Sequence, residues 1–337
     1  MALDIVSFTP KDKKLLKEFV QFQWDLYKDD KYFVPQMKME LLGNKLLGAK
    51  GLLESSHAFH KKATVQYFLA YRDGKPVGRM ACTYNKYFND YFKSNEGHFG
   101  FFEVIEDYNV AEELLNKGME WFKEKGVNIL LGPLNFTQEE TLGVLIEGFD
   151  YYPFINTVYN KKYYGPFLEK YGFKKDRDLL AQLMPVKMDE ENKNRHERLD
   201  RIVEKIKTKR GITFRPVNMN GKEFIKDLLL IGEIYNKAWA NNWGVIPLND
   251  EDLKAEADNL KMILDPNLLL LAYVKGKPAG MIISLPDVNE MNWIGKSSRS
   301  DLSRIIAIFK NRKKCKRVRL WALGILPEYR KIGVDVQ

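Results

Sequence analysis

The residues with the clearest capacity for chemistry stand at the end of the chain. Residues 317–337 read RVRLWALGILPEYRKIGVDVQ, an apolar run followed by Pro327-Glu328-Tyr329 and then by Arg330-Lys331-Ile332-Gly333-Val334. A turn in this position presents successive backbone N–H groups, and with a guanidinium and an ammonium beside them such a turn suits a pyrophosphate. Gly333 has no Cβ, so the main chain can come close to an anion there. A second group lies in NKAWANNWGVIP at 236–247. Trp239 and Trp243 with Asn242 could wall a small-molecule pocket, while two tryptophans packing a helix on a sheet would account for them equally. Glu328 is the carboxylate beside the loop. Nothing in the spacing makes it a base, so no catalytic residue is assigned.

Other patterns carry less. The chain has four histidines, His57, His60, His98 and His196; the first two stand three apart with no third ligand at metal-site spacing, so no metal is expected. Cys82 and Cys315 form no CxxC pair and no disulfide framework, and Cys82, inside an apolar run, reads as a packed thiol. Residues 310–319 hold seven basic side chains and no acid. No aromatic residue interleaves with them, so they read as a solvated helix end or as the electropositive surround of a nucleotide, and nucleic acid is set aside as a partner.

The 337 residues predict two domains. A composition of 45% hydrophobic and 29% charged residues excludes a disordered or fibrous chain. The formal net charge of +9 favours anionic partners without speaking to the fold. No stretch approaches the roughly 18 uncharged apolar residues of a membrane span, and the start carries no leader pattern. The reading is therefore a cytoplasmic protein with no membrane partner; the oligomeric state is left open.

The elements that must position these residues repeat. Residues 69–78 read LAYRDGKPVG and residues 271–280 read LAYVKGKPAG: seven of ten positions are identical at an offset of 202. In each, Gly-Lys-Pro between apolar runs has the form of a hairpin turn. A short strand and an amphipathic helix precede each copy: 4–8 with Leu15, Leu16, Phe19, Val20 and Trp24, and 212–217 with Phe224, Ile225, Leu228, Ile231 and Tyr235. Thr9-Pro10 reads as the helix start. Strands are expected at 66–71, 77–83, 97–104 and 127–132, and helices at 110–125 and 161–171. The expected domains are 1–186 and 211–337, joined by an amphipathic helix at 187–210. The fold class is α/β, a mixed α+β sheet with helices on its faces.

The apolar strand, the Pro-Glu-Tyr-Arg and the glycine loop resemble the acyl-CoA motif of the GNAT acyltransferase superfamily, whose loop reads Gln/Arg-x-x-Gly-x-Gly/Ala. Arg330 and Gly333 match; Asp335 stands where Gly or Ala is usual. The resemblance implies two tandem GNAT-like domains, the second incomplete at its C-terminus, with acetyl-CoA or another acyl-CoA as co-substrate. Backbone groups of Leu323, Gly324 and Ile325 would pair with pantetheine and polarise the thioester, and the loop 330–334 would take the pyrophosphate. The first half has the strand and then Glu106-Asp107-Tyr108-Asn109 with no glycine loop, so it is expected to be degenerate. Its Gly-Phe at 172–173 ends a helix that resembles the family's last one, with Leu168 where a general-acid tyrosine often stands. The implied activity is transfer of an acyl group from CoA to the amine of a small molecule or peptide. The alternatives are a binding or scaffold protein that kept the fold, and a peptidyl-transferring enzyme using aminoacyl-tRNA.

Overall fold

The computed structural model describes residues 3–44, 50–138, 140–185, 190–260, 263–294 and 300–335. By its contacts the chain divides into two units: Met1–Arg177 with Asp287–Lys316, and Asp178–Pro286 with Arg317–Gln337. The expected boundary at 186/187 lies outside the described residues.

In the first unit, β1 (Leu3–Phe8) leads to α1 (Lys13–Leu26), α2 (Lys38–Leu42), the hairpin of β2 (Ala63–Arg72) and β3 (Lys75–Asn85), α3 (Lys86–Phe92), β4 (Glu96–Val104), α4 (Tyr108–Glu124), β5 (Ile129–Leu131) and α5 (Tyr164–Tyr171). The sheet runs β1-β2-β3-β4-β5, antiparallel except for the β4–β5 pair. Successive side chains of a strand leave opposite faces. Tyr67 and Leu69 accordingly join Leu16, Phe19 and Val20 of α1, while Phe68 and Ala70 join Val110, Leu114 and Phe122 of α4 and Leu168 of α5. Helix α1 begins three residues later than the sequence suggests. Asp12 caps it by accepting from the Leu15 N–H at 3.1 Å, and the Asp12 N–H donates to the Thr9 carbonyl, so Thr9-Pro10 belongs to the turn before it.

The second unit begins with α6 (Glu190–Arg210), then β6 (Ile212–Pro216), α7 (Gly221–Ala238), α8 (Asp250–Leu260), the hairpin of β7 (Leu269–Val274) and β8 (Lys277–Pro286), and later β9 (Val318–Ile325). Its antiparallel sheet runs β6-β7-β8-β9. The repeat in sequence is a repeat in backbone detail. Both hairpins turn on a residue pair at positive φ, Asp73-Gly74 and Lys275-Gly276, the dihedrals that fit a tight turn to strand twist. Both slip register at the same place, between Ala70 and Tyr71 and between Ala272 and Tyr273.

Between β8 and β9 run α9 (Val288–Ile294) and α10 (Asp301–Asn311). Sequence reading keeps 211–337 whole, whereas Asp287–Lys316 groups with the first unit. The attachment is polar. Asp301 accepts from the N–H groups of Lys38 at 3.0 Å and Met39 at 2.7 Å, capping α2 from far along the chain. Asp287 accepts from the Ile155 N–H at 3.1 Å, and the Asn289 amide donates to the Pro153 carbonyl at 3.0 Å.

Candidate functional site

In the second unit β9 pairs with β8 along one side, and among the described residues no strand lies on its other side. Leu323, Gly324 and Ile325 end this strand, opposite Ile282, Met281 and Gly280. Gly324 is where helix α7 comes closest: a Cβ there would stand 3.3 Å from Ala238 Cβ and from Met281 Cε. At the end of α7 the Trp239 indole N–H donates to the Leu323 carbonyl at 3.0 Å. Two residues singled out separately in the sequence thus meet, and the carbonyl offered to pantetheine is already engaged by that indole. Trp239 also packs on Tyr235, ring centroids 4.9 Å apart. Asn242 and Trp243 stand exposed on the loop beyond. That loop is pinned by Asn236, which bonds Leu248 through both its amide groups at 2.9 Å.

After β9 a single helical turn, Pro327–Tyr329, carries the chain into the loop. Lys331 at φ 62° and Gly333 at φ 90° are left-handed, a conformation that turns consecutive amides toward one side. Arg330 N–H is spent on the Pro327 carbonyl, while the N–H groups of Lys331, Ile332, Gly333 and Val334 make no backbone hydrogen bond of good geometry among the described residues, the turn at 330–333 being closed only loosely. The loop is anchored by Val334 and Ile332, which pack with Ile212, Ala272, Val274 and Ala279. Arg330 does not point its guanidinium into free space: its NH2 donates to the Ala238 carbonyl at 2.7 Å and its Nε to the Ile325 carbonyl at 3.2 Å. It braces the end of α7 against the end of β9. A cavity of about 410 Å³ adjoins the loop, lined by Lys209, Arg210, Lys275 and Lys277 with Val274, Tyr329 and Ile332. Sequence reading missed these four, because two close α6, one is in the hairpin turn and one opens the strand after it, and only folding brings them to Tyr329. Asp335, exposed, follows the loop as expected.

The corresponding strand end in the first unit is closed. Beyond its short pairing with β5, β4 receives the following segment directly: Leu134 N–H donates to the Phe99 carbonyl and Phe101 N–H to Asn135 Oδ1, both at 2.7 Å. Any side chain at Gly100 would collide with the Leu134 carbonyl. The Val104 N–H donates to Tyr164 Oη at 3.0 Å, and Tyr163 Oη–H donates to the Val104 carbonyl at 2.7 Å. Tyr163 and Tyr164 therefore sew α5 to β4, Tyr171 bonds Asn116, and Leu168 is core.

Behind that strand lies a buried polar cluster that sequence reading missed. Glu103 accepts from Tyr164 Oη at 2.6 Å, Tyr27 Oη at 2.9 Å and Gln23 Nε2 at 2.6 Å, with Arg79 NH2 at 3.8 Å. Arg79 is 1% exposed and Glu103 5%. Arg79 donates to the Phe19 carbonyl at 2.7 Å and lies over the Phe19 ring. Burial pushes the Glu103 carboxyl up, with Arg79 opposing, and pushes both tyrosine hydroxyls up. The signal was there: Arg79 and Glu103 are each a charged residue set among apolar neighbours inside a strand. Of the histidines, His57 caps a helical turn and His60 bonds the Leu52 carbonyl at 3.1 Å. Among the described residues no group of three or more His, Cys, Asp or Glu could hold a metal.

No family model matches the chain. Protein YghO of Escherichia coli (strain K12) is 28% identical over 279 residues, 83% of this chain and 67% of that protein. The bacterial ceramide synthase of Caulobacter vibrioides (strain NA1000 / CB15N) is 28% identical over 288 residues, 85% of this chain and 71% of that one. Among solved structures, a tandem GNAT protein from the clavulanic acid biosynthesis pathway overlaps 84% of this chain and 74% of its own at TM-score 0.42 and 11% identity. A predicted acetyltransferase with acetyl-CoA from Clostridium acetobutylicum overlaps 54% and 96% at TM-score 0.32 and 13% identity. The structural overlaps are loose, so the fold rests on the order of strands and helices and on the paired bulges. On that ground the chain is a tandem of two repeats of one α/β fold, each a strand and helix followed by a bulged hairpin and a further strand.

Proposed function

We propose that the protein is an acyl-CoA-dependent N-acyltransferase whose second unit holds the CoA. The observation that carries this reading is the loop after β9, with four successive N–H groups from Lys331 to Val334 making no backbone hydrogen bond of good geometry among the described residues, beside a cavity lined by four cations. Such a loop suits a pyrophosphate. The fit has one adverse feature, the carboxylate of Asp335 one residue on. Bound acyl-CoA would supply a thioester that an amine can attack directly, forming the amide as the C–S bond breaks and the CoA thiol leaves. The main chain of Leu323, Gly324 and Ile325 would line the acyl end, with N–H groups on the side of β9 away from β8 stabilising developing negative charge. Trp239 fixes this strand end by holding the Leu323 carbonyl, and Asn242 and Trp243 would face the acceptor. A group to take the amine proton is not assigned. The first unit is a degenerate partner, since Leu134, Asn135 and Tyr164 occupy the backbone positions of β4 that a thioester would use.

The acceptor is an amine. The relative named as a ceramide synthase supports this, because ceramide is an amide of a long-chain amino alcohol. The test is release of free thiol from acyl-CoA donors of increasing chain length, each offered long-chain amino alcohols and polar amines. Acceptor-dependent thiol release is expected, reduced about tenfold or more in Trp239→Ala. CoA binding without turnover on any amine would overturn the activity and favour the scaffold reading.

A further inference from the structure

The basic run at 310–319 and the helix before it are not absorbed by acyl transfer. Helix α10 has one face committed to the first unit. Arg304, Ala307, Ile308 and Asn311 are buried on it, Arg304 lies over the Trp24 ring, the Asn311 amide donates to the Met291 carbonyl at 3.2 Å, and Asp301 caps α2. These contacts fix the rotation of the helix about its axis. Its opposite face carries Leu302, Ile306 and Phe309, which at spacings of four and three form one stripe. They are 69%, 44% and 60% exposed. At the end of that stripe stand Lys310, Lys313, Lys314 and Lys316, all exposed; the Lys316 backbone N–H donates to Glu290 Oε2 at 2.7 Å, while none of the four ammonium groups forms an ion pair among the described residues. A large apolar stripe held outward next to unpaired cations is the arrangement of a helix that lies in a membrane interface.

We propose that α10 docks the protein on an anionic lipid surface, with Leu302, Ile306 and Phe309 entering the headgroup region and the lysines from 310 to 316 meeting acidic headgroups. Charge selects this occupant over a second copy of the chain, since two such surfaces brought together would repel through their lysines. It selects it over nucleic acid as well, because nucleic acid offers no apolar phase to the stripe. The absence of any spanning helix among the described residues is no obstacle, as a surface-lying helix needs none. The sequence set membranes aside on the lack of a span, which is a different criterion. The inference does not depend on acyl transfer, and an inactive protein would dock equally.

The test is co-sedimentation of the full chain with vesicles of phosphatidylcholine alone and of phosphatidylcholine with 30% phosphatidylglycerol, at low and high salt. Binding to the anionic vesicles is expected, weakened by salt and at least tenfold weaker to neutral ones. Lys310→Glu/Lys313→Glu/Lys314→Glu is expected to lower partitioning by about fivefold or more for each charge, and Ile306→Ser/Phe309→Ser to lower it at least tenfold at unchanged charge. Both sets lie on exposed positions, and an unchanged melting temperature verifies folding. Equal binding to both vesicle types, no binding at low salt, or a serine variant that binds as the parent does would each overturn the proposal. So would a concentration-dependent dimer abolished by the serine variant, or binding to an oligonucleotide that the serine variant retains in place of vesicle binding.

Discussion

Arg79 and Glu103 illustrate how much a single residue in an apolar strand can demand of its surroundings. The carboxylate is held by two tyrosines, a glutamine and a guanidinium, and removing one member leaves the rest buried and uncompensated. Arg79→Met is expected to cost about 3–5 kcal/mol of the first unit's stability, read from its urea midpoint, whereas Arg79→Met with Glu103→Gln, which keeps an acceptor for the two tyrosines and removes the uncompensated charge, recovers part of that loss. Equal loss in both would mean that shape, not charge, holds the site. His60 gives a pH dependence with a defined sign. Burial drops its pKa from 6.5 to about 4, so the folded protein keeps it neutral while the unfolded chain takes a proton. Stability from this group is whole above pH 6.5 and falls as pH drops toward 4, in total on the order of 3 kcal/mol. Urea midpoints at pH 7 and pH 5 are expected to differ more in the parent than in His60→Gln.

At the scale of elements, hydropathy periods marked the strands and helices that belong to both repeats, because each buries an apolar face with its own spacing. The 69–78 and 271–280 match located both hairpins, although the turn itself is Asp73-Gly74 and Lys275-Gly276 and the prolines already lie in the next strands. What escaped was set by distance along the chain. No local pattern shows that Asp301 caps α2, that Lys209 and Lys277 line one cavity, or that Arg330 is consumed by the end of α7. Of the candidate site residues, Trp239 and Leu323 meet directly, while Asn242 and Trp243 stand exposed on the loop that follows Trp239. Helix α7 against β9 is the joint that makes this site, and Gly324 permits it. Gly324→Val is expected to cost about 1–3 kcal/mol through overpacking against Ala238 and Met281, and to move the Trp239 fluorescence as the indole loses the Leu323 carbonyl. A variant with unchanged emission and stability would show that the helix does not close on the strand.

At the scale of the whole chain, sequence order and structural unit part company at Asp287–Lys316, which lies between β8 and β9 yet groups with the first unit. Asp301→Ala, in the second half of the sequence, is therefore expected to destabilise the first unit by about 1 kcal/mol, roughly 2–4 °C in melting temperature. Hydrogen exchange should show the change at α2, where Lys38 and Met39 lose their acceptor. The two repeats also divide the labour of the fold. In one, tyrosines and a loop fill the strand end; in the other, no strand lies beyond the strand end among the described residues, and the loop after it holds N–H groups with no well-formed hydrogen bond among them.

That contrast is tested most directly by calorimetric titration of CoA into the parent chain and into Gly333→Glu, with melting temperatures taken alongside. The account predicts one CoA per chain and an affinity at least tenfold lower in the variant, since a carboxylate would enter the loop that faces the phosphates. Equal affinity in both proteins, or no heat in either, would contradict it.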